Sequence, residues 1–219
     1  MNRSIEIFSR SRSALSTHKV LRNTYLLLSI TVAFSALIAT ITNILNLPYL
    51  GVIPTLIGFY SLLFLVNYLS NKKSGILATF ALTGFMGYTI APIINIIFSA
   101  SSGKNVAFSL FGTALVFFVC SMYSVKNKRD LSLLSSVLIS GSVALLICII
   151  SNMILHISAL SIAISIMFII FSSVAIIWEI NNIIFGGENN YIRATVSLYV
   201  SIYNIFSSFL GIFGGIKNN

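Results

Sequence analysis

Two long intervals of this chain hold no charged side chain, one between Arg22 and Lys72 and one between Asp130 and Glu179. Each has room for two helical crossings of a bilayer at about 20 residues per crossing. A water-soluble domain carries about 25% charged residues; this chain carries 8%, against 57% hydrophobic residues and a mean hydropathy of +1.00. No aqueous fold has enough polar surface to cover that much apolar chain. The apolar runs are continuous and lack the alternation a lumen-facing strand needs, which favours helices over a barrel. The expected class is therefore an all-α integral membrane protein, a transmembrane helix bundle whose solvent is the lipid bilayer.

Punctuation divides the chain into a basic segment at 1–23, a membrane domain at 24–213 and a short tail at 214–219. Seven spans are expected at about 24–45, 49–70, 75–98, 105–125, 131–153, 158–185 and 194–213. Asn46-Leu47-Pro48 marks the first turn, because the residue before a proline avoids helix. Pro92 lies inside the third span and frees the carbonyl of Tyr88, while Gly84 and Gly87 permit close helix approach. Gly186-Gly187 ends the sixth span, as glycines end helices.

The net charge of +9 does not point to nucleic acid. The thirteen Lys and Arg residues sit in short clusters between apolar runs. With the N-terminus inside, Arg3, Arg10, Arg12, Lys19, Arg22, Lys72, Lys73, Lys126, Lys128, Arg129 and Arg193 fall on the cytoplasmic side. Lys104 and Lys217 fall on the other, and eleven against two is the positive-inside pattern. The segment 1–23 precedes a span-length run with no small-residue cleavage site, so it reads as a retained cytoplasmic tail and not a signal peptide. Cys120 and Cys148 lie mid-run, where cysteine acts as a small hydrophobe, and no spacing suggests a disulfide, metal or cofactor site.

Glu179 is the one charged residue placed within a span. It sits about seven residues before Gly186, roughly 10 Å from the helix end. A charge at the bilayer centre costs about 2.5 to 3.5 kcal/mol on insertion scales, so such a residue should face the bundle interior. Ser165, Ser172 and Glu179 stand seven apart on one face, which Asn182 extends. The last span offers Ser197, Ser201, Asn204 and Ser208, spaced as one helical stripe. Packed together, the two faces make a polar seam in which Glu179, Asn182, Ser197, Ser201 and Asn204 are candidate pH-sensing or cation-binding residues. Tyr199 and Tyr203 are expected to turn their hydroxyls toward it. Interhelical hydrogen bonding is the alternative role of the same seam. One intramembrane Glu, no intramembrane His, and serines without a base give no catalytic constellation, so no enzyme is expected.

The runs Thr83-Gly-Phe-Met-Gly-Tyr-Thr-Ile-Ala-Pro-Ile-Ile-Asn95 and Gly186-Gly-Glu-Asn-Asn-Tyr-Ile-Arg-Ala-Thr-Val-Ser-Leu-Tyr-Val-Ser-Ile-Tyr-Asn204 closely resemble the Bax inhibitor-1 family, in its bacterial YccA-type branch. The resemblance covers all seven spans. It implies a seven-helix bundle with the last helix central, in the bacterial inner membrane. It further implies a regulatory role: binding and restraining FtsH, a membrane-anchored ATP-dependent protease of the AAA type. Other members of the family behave as pH-sensitive calcium leak channels built on paired aspartates in helices 6 and 7, which makes cation leak the alternative function. Glu179 matches the first aspartate position and Ser201 falls on the second. The second span has no arginine to clamp such a pair. The resemblance therefore implies that a diaspartyl sensor is absent, because a lone carboxylate has no second carboxylate with which to share a proton.

Overall fold

The computed structural model describes residues 2–101, 103–127, 131 and 133–215, with 2–16 and 215 as backbone alone. The expectations placed on Lys128, Arg129 and Lys217 lie outside these described residues. Seven helices follow in order: α1 (Asn2–Ile44), α2 (Val52–Leu69), α3 (Ser74–Ser101), α4 (Lys104–Lys126), α5 (Leu133–Leu155), α6 (Ser158–Ile184) and α7 (Tyr191–Gly215). No strand occurs among the described residues, and each helix contains a stretch long and apolar enough to cross a membrane. The first of these stretches is Thr17–Ile44, yet α1 itself begins at Asn2. The basic segment thus continues the first span as helix. Nothing between Asn2 and Ile44 interrupts it, since that interval contains neither glycine nor proline.

The punctuation works where the sequence places it. After α1 the backbone turns through Asn46 at φ 49° and Gly51 at φ 87°, and Pro54 is accommodated in the first turn of α2. The end of α6 is a Schellman motif. Gly186 takes φ 79°, its N–H bonds to the Ile183 carbonyl at 3.1 Å, and the Gly187 N–H bonds to the Asn182 carbonyl at 2.9 Å.

The packing is inverted relative to a soluble protein. Large apolar side chains such as Phe64 (75% exposed) and Leu133 (84%) face outward, where acyl chains lie. Hydroxyl residues are buried instead, including Thr24, Thr31, Thr79, Thr83, Ser109 and Thr195. Several bond back to their own helix, as Thr79 does to Gly75 O at 2.9 Å and Thr113 to Ser109 O at 2.7 Å. Others cross between helices: Ser124 Oγ donates to Ile177 O at 3.0 Å, and Tyr199 Oη to Ser35 Oγ at 2.6 Å. Such bonds contribute about 0.6 kcal/mol each within a membrane. Gly87 is needed where it stands, because a Cβ there would run into the backbone carbonyl of Ser35 on α1.

The last helix is the centre. α7 packs on α1, α2, α3, α4 and α6, and it buries Leu198, Tyr199, Ile205 and Leu210 along its length. Among the described residues α5 packs on α6 alone, and α2 leans on α3 and α7 without touching α6. That gap between α2 and α6 creates the site described next.

Candidate functional site

A cleft of about 400 Å³ lies between α2, α6 and α7. From α6 it receives Ser172, Ala175 and Glu179, and from α7 Ser197, Ser201 and Asn204, with Leu63 and Asn67 of α2 forming the far wall. The periodicity of the two helices explains the meeting. Ser172 and Glu179 are two turns apart on one face of α6, and 197, 201 and 204 climb one face of α7. Where these faces converge, Glu179 is only 5% exposed, and the Ser197 hydroxyl is its hydrogen-bonding neighbour. Ser201 turns its hydroxyl to the Ser197 carbonyl at 3.0 Å. Ser172 is 1% exposed, and its hydroxyl has no partner although it lines the cleft.

The mouth of the cleft is built by the α6–α7 connection. Glu188 and Arg193 both line it. They form a two-pronged ion pair, Arg193 Nε to Glu188 Oε2 at 3.1 Å and Nη2 to Oε1 at 3.0 Å, and this is the one ion pair among the described residues. Asn190 holds the arrangement together. Its Oδ1 accepts the Ile192 N–H at 2.9 Å, which caps the start of α7. Its Nδ2 donates to Ser70 O and to Asn71 Oδ1, both at 3.0 Å, tying this connection to the α2–α3 turn. Glu188 Oε1 also accepts the Asn190 N–H at 2.7 Å.

Four of the five residues singled out in the sequence therefore line one cleft: Glu179, Ser197, Ser201 and Asn204. Asn182 does not. Its carbonyl accepts the N–H groups of Gly187 and Glu188, and a side chain at Gly187 would strike its Oδ1, so the chain reverses directly in front of it. The two tyrosines also differ from expectation. Tyr199 bonds to Ser35 and to the Thr83 carbonyl, and Tyr203 pairs with Thr89 at 3.3 Å, so both face α1 and α3 and not the seam. One or two residues along a helix is a rotation of about 100° to 200°, which carries them to another neighbour. Spacing alone missed Glu188, Asn190 and Arg193 as parts of the site. An N-cap signal was present, an Asn immediately before the apolar run that starts α7.

Chemically the cleft offers one buried carboxyl, a ring of hydroxyls including one unpartnered, and a charge pair at its mouth. That set can hold a proton or one cation at Glu179. No group of three or more His, Cys, Asp or Glu residues that could hold a metal occurs among the described residues. His156 lies exposed in the α5–α6 turn, at the opposite end of α6.

A model of the family described as Inhibitor of apoptosis-promoting Bax1 matches residues 17–219. The chain is 53% identical over 214 residues to an Escherichia coli K12 protein named Modulator of FtsH protease YccA, covering 98% of each chain. It is equally similar, with the same coverage, to a protein of a second Escherichia coli strain, CFT073, named Inner membrane protein YccA. An uncharacterized Pasteurella multocida protein is 51% identical over 203 residues, covering 93% of this chain and 92% of that one.

Proposed function

The chain belongs to the Bax inhibitor-1 family, and from that membership we propose that it is an inner-membrane protein that binds and modulates an FtsH-type ATP-dependent protease. The observation that carries this reading is 53% identity, end to end, to a relative named for that modulation. The aligned region takes in all seven helices. The architecture is consistent with an interaction role. Nearly all of the described chain is bilayer-crossing helix joined by short turns, and the longest element outside a span is the basic start of α1, from Asn2 to the beginning of the Thr17–Ile44 stretch. With the N-terminus in the cytoplasm, that basic helical extension is the natural contact for a protease domain there.

Crosslinking in native membranes tests the reading. It should recover an FtsH-type protease, and deletion of residues 1–20 should weaken both capture and modulation. Capture of no protease by the full chain would overturn the assignment. Normal modulation by the truncated chain would move the contact to the spans or short turns.

One observation favours a second activity, a pH-sensitive cation leak. Glu179 is buried in a cleft of about 400 Å³ that the Ser172 hydroxyl, two turns away along α6 and without a partner, also lines. An unpaired polar lining in a membrane interior is costly unless something occupies it. Ser201 stands where a second carboxylate would complete an acidic pair, so any leak here rests on Glu179 with hydroxyl support.

A further inference from the structure

The other side of α7 carries a second cavity, of about 520 Å³, between α1 and α4. The backbones of these two helices stand apart, and the helices meet at one end of the gap through Tyr25 and Phe117, whose rings pack edge to face with centroids 6.2 Å apart. Exposed Ala36 and Leu110 line the gap, so it opens sideways, toward hydrocarbon. Its floor includes Tyr199 and Tyr203 of α7. The hydroxyls around it are already engaged: Ser29 donates to Tyr25 O at 2.8 Å, Thr40 to Ala36 O at 2.9 Å, and Tyr199 to Ser35. What remains for an occupant is mostly apolar surface, with the Asn43 amide at the end away from Arg22. Water or an ion finds little to bond there, in contrast to the Glu179 cleft, whereas a hydrocarbon chain does not need to.

Size decides between a chain and a helix. The lining runs from Tyr25 to Asn43 on α1, about 27 Å at 1.5 Å per residue. A helix is about 10 Å across, and the Tyr25–Phe117 ring contact, 6.2 Å between centroids, bridges α1 and α4 at one end of the gap and leaves no room for a helix there. A single acyl chain is slender enough. Charge then selects the headgroup. Arg22, Ser29, Ala36 and Asn43 stand seven apart on one face of α1, and the last three line the crevice. Arg22 continues that line about 10 Å beyond Ser29, where the charge-free interval begins, and it is exposed. Lys19 is exposed one turn further. The one ion pair among the described residues lies elsewhere, at Glu188 and Arg193.

We propose that this crevice is a binding site for an anionic phospholipid, one acyl chain filling the gap between α1 and α4 and the phosphodiester meeting Arg22 and Lys19. Basic residues at the mouth of an interhelical groove recognise acidic lipid headgroups by this combination of burial and charge.

The full chain, purified in detergent, is offered phosphatidylglycerol or phosphatidylcholine of identical acyl chains, and retained lipid is read by native mass spectrometry. Phosphatidylglycerol should be retained preferentially. Arg22→Gln should lower that preference about five-fold, the worth of ~1 kcal/mol for one cation near an anionic headgroup. Ala36→Phe and Ala114→Phe add bulk to the open crevice and should each reduce retention of both lipids. Equal retention of the two lipids by the native chain, or an unchanged preference in Arg22→Gln, overturns the headgroup assignment. Undiminished retention in both phenylalanine variants overturns the crevice. Arg22→Gln changes an exposed side chain, so its arm stands even where a phenylalanine variant does not fold. A photocrosslinker attached at Ala36→Cys in native membranes should label lipid, and labelling of a polypeptide instead would assign the groove to a partner helix and sink the proposal.

Discussion

Glu179 is held in place by packing and hydroxyls, without a counter-ion of its own. Arg193, the cation that shares its cleft, is committed to Glu188. The charged groups facing Glu179 are therefore that pair alone, and its hydroxyl neighbour is Ser197 of α7, while the unpartnered Ser172 lines the cleft two turns away on α6. Glu179→Gln keeps volume and hydrogen-bonding capacity while removing the ionisable group. It should leave the bundle at least as stable and abolish any pH dependence of ion passage. Ser201→Asp restores an acidic pair across the α6–α7 interface. Two carboxylates within reach of one another cannot both ionise cheaply, so one proton is shared and its release is coupled to what enters the cleft. That variant should gain a pH-dependent cation leak. Calcium flux into proteoliposomes at one acidic and one alkaline pH, for the native chain and both variants, checks this. Three identical flat traces would leave Glu179 as a structural residue.

At the scale of elements, the helices were legible because charge-free runs and Gly or Pro punctuation state where each crossing starts and stops. The start of α1 was the exception. Charge marks where a span meets water but does not end a helix, and only a breaker residue would have done so between Asn2 and Ile44. Facing was legible within one helix and illegible between helices. The 197, 201, 204 stripe is a property of α7 alone, whereas the choice of α1 and α3 as partners for Tyr199 and Tyr203 depends on how seven helices are arranged. Asn182 was read from its spacing to Glu179, and no helical spacing records that the chain doubles back at Gly187. Asn190 shows what a connection contributes to an element. It caps α7 and also anchors the α2–α3 turn through Nδ2. Asn190→Ala loses both functions and should cost about 2 kcal/mol, at the upper end for a helix cap. Asn190→Asp keeps a capping oxygen and loses only the donated bonds, so it should melt between the native chain and the alanine variant. Thermal unfolding in detergent reads the order, and equal midpoints for the two variants would show that the cap contributes nothing.

For the whole molecule, the hydrogen bonds sort the connections by membrane face independently of charge. Asn190 joins the α6–α7 connection to the α2–α3 turn, and Leu131 N–H reaches Asn181 Oδ1 at 3.4 Å, bringing the α4–α5 connection to the same end. At the other end Asn105 Nδ2, at the start of α4, donates to Phe213 O at the end of α7, at 2.8 Å. The described cations follow this division. Lys72, Lys73, Lys126 and Arg193 belong to the first face, with Lys19 and Arg22 of α1, while Lys104 belongs to the second. An excess of Lys and Arg marks the cytoplasmic side of a membrane protein, so the first face should be cytoplasmic and the N-terminus with it. Seven crossings then put the C-terminus outside. Reporter fusions after Lys73 and after Arg129 should read cytoplasmic, and fusions at Lys104 and at the C-terminus should read periplasmic. A cytoplasmic signal at Lys104 would break the pairing of α3 with α4 across the outer face. A cytoplasmic signal at the C-terminus alone would mean that α7, central in the bundle and bonded to Asn105 at its far end, does not cross.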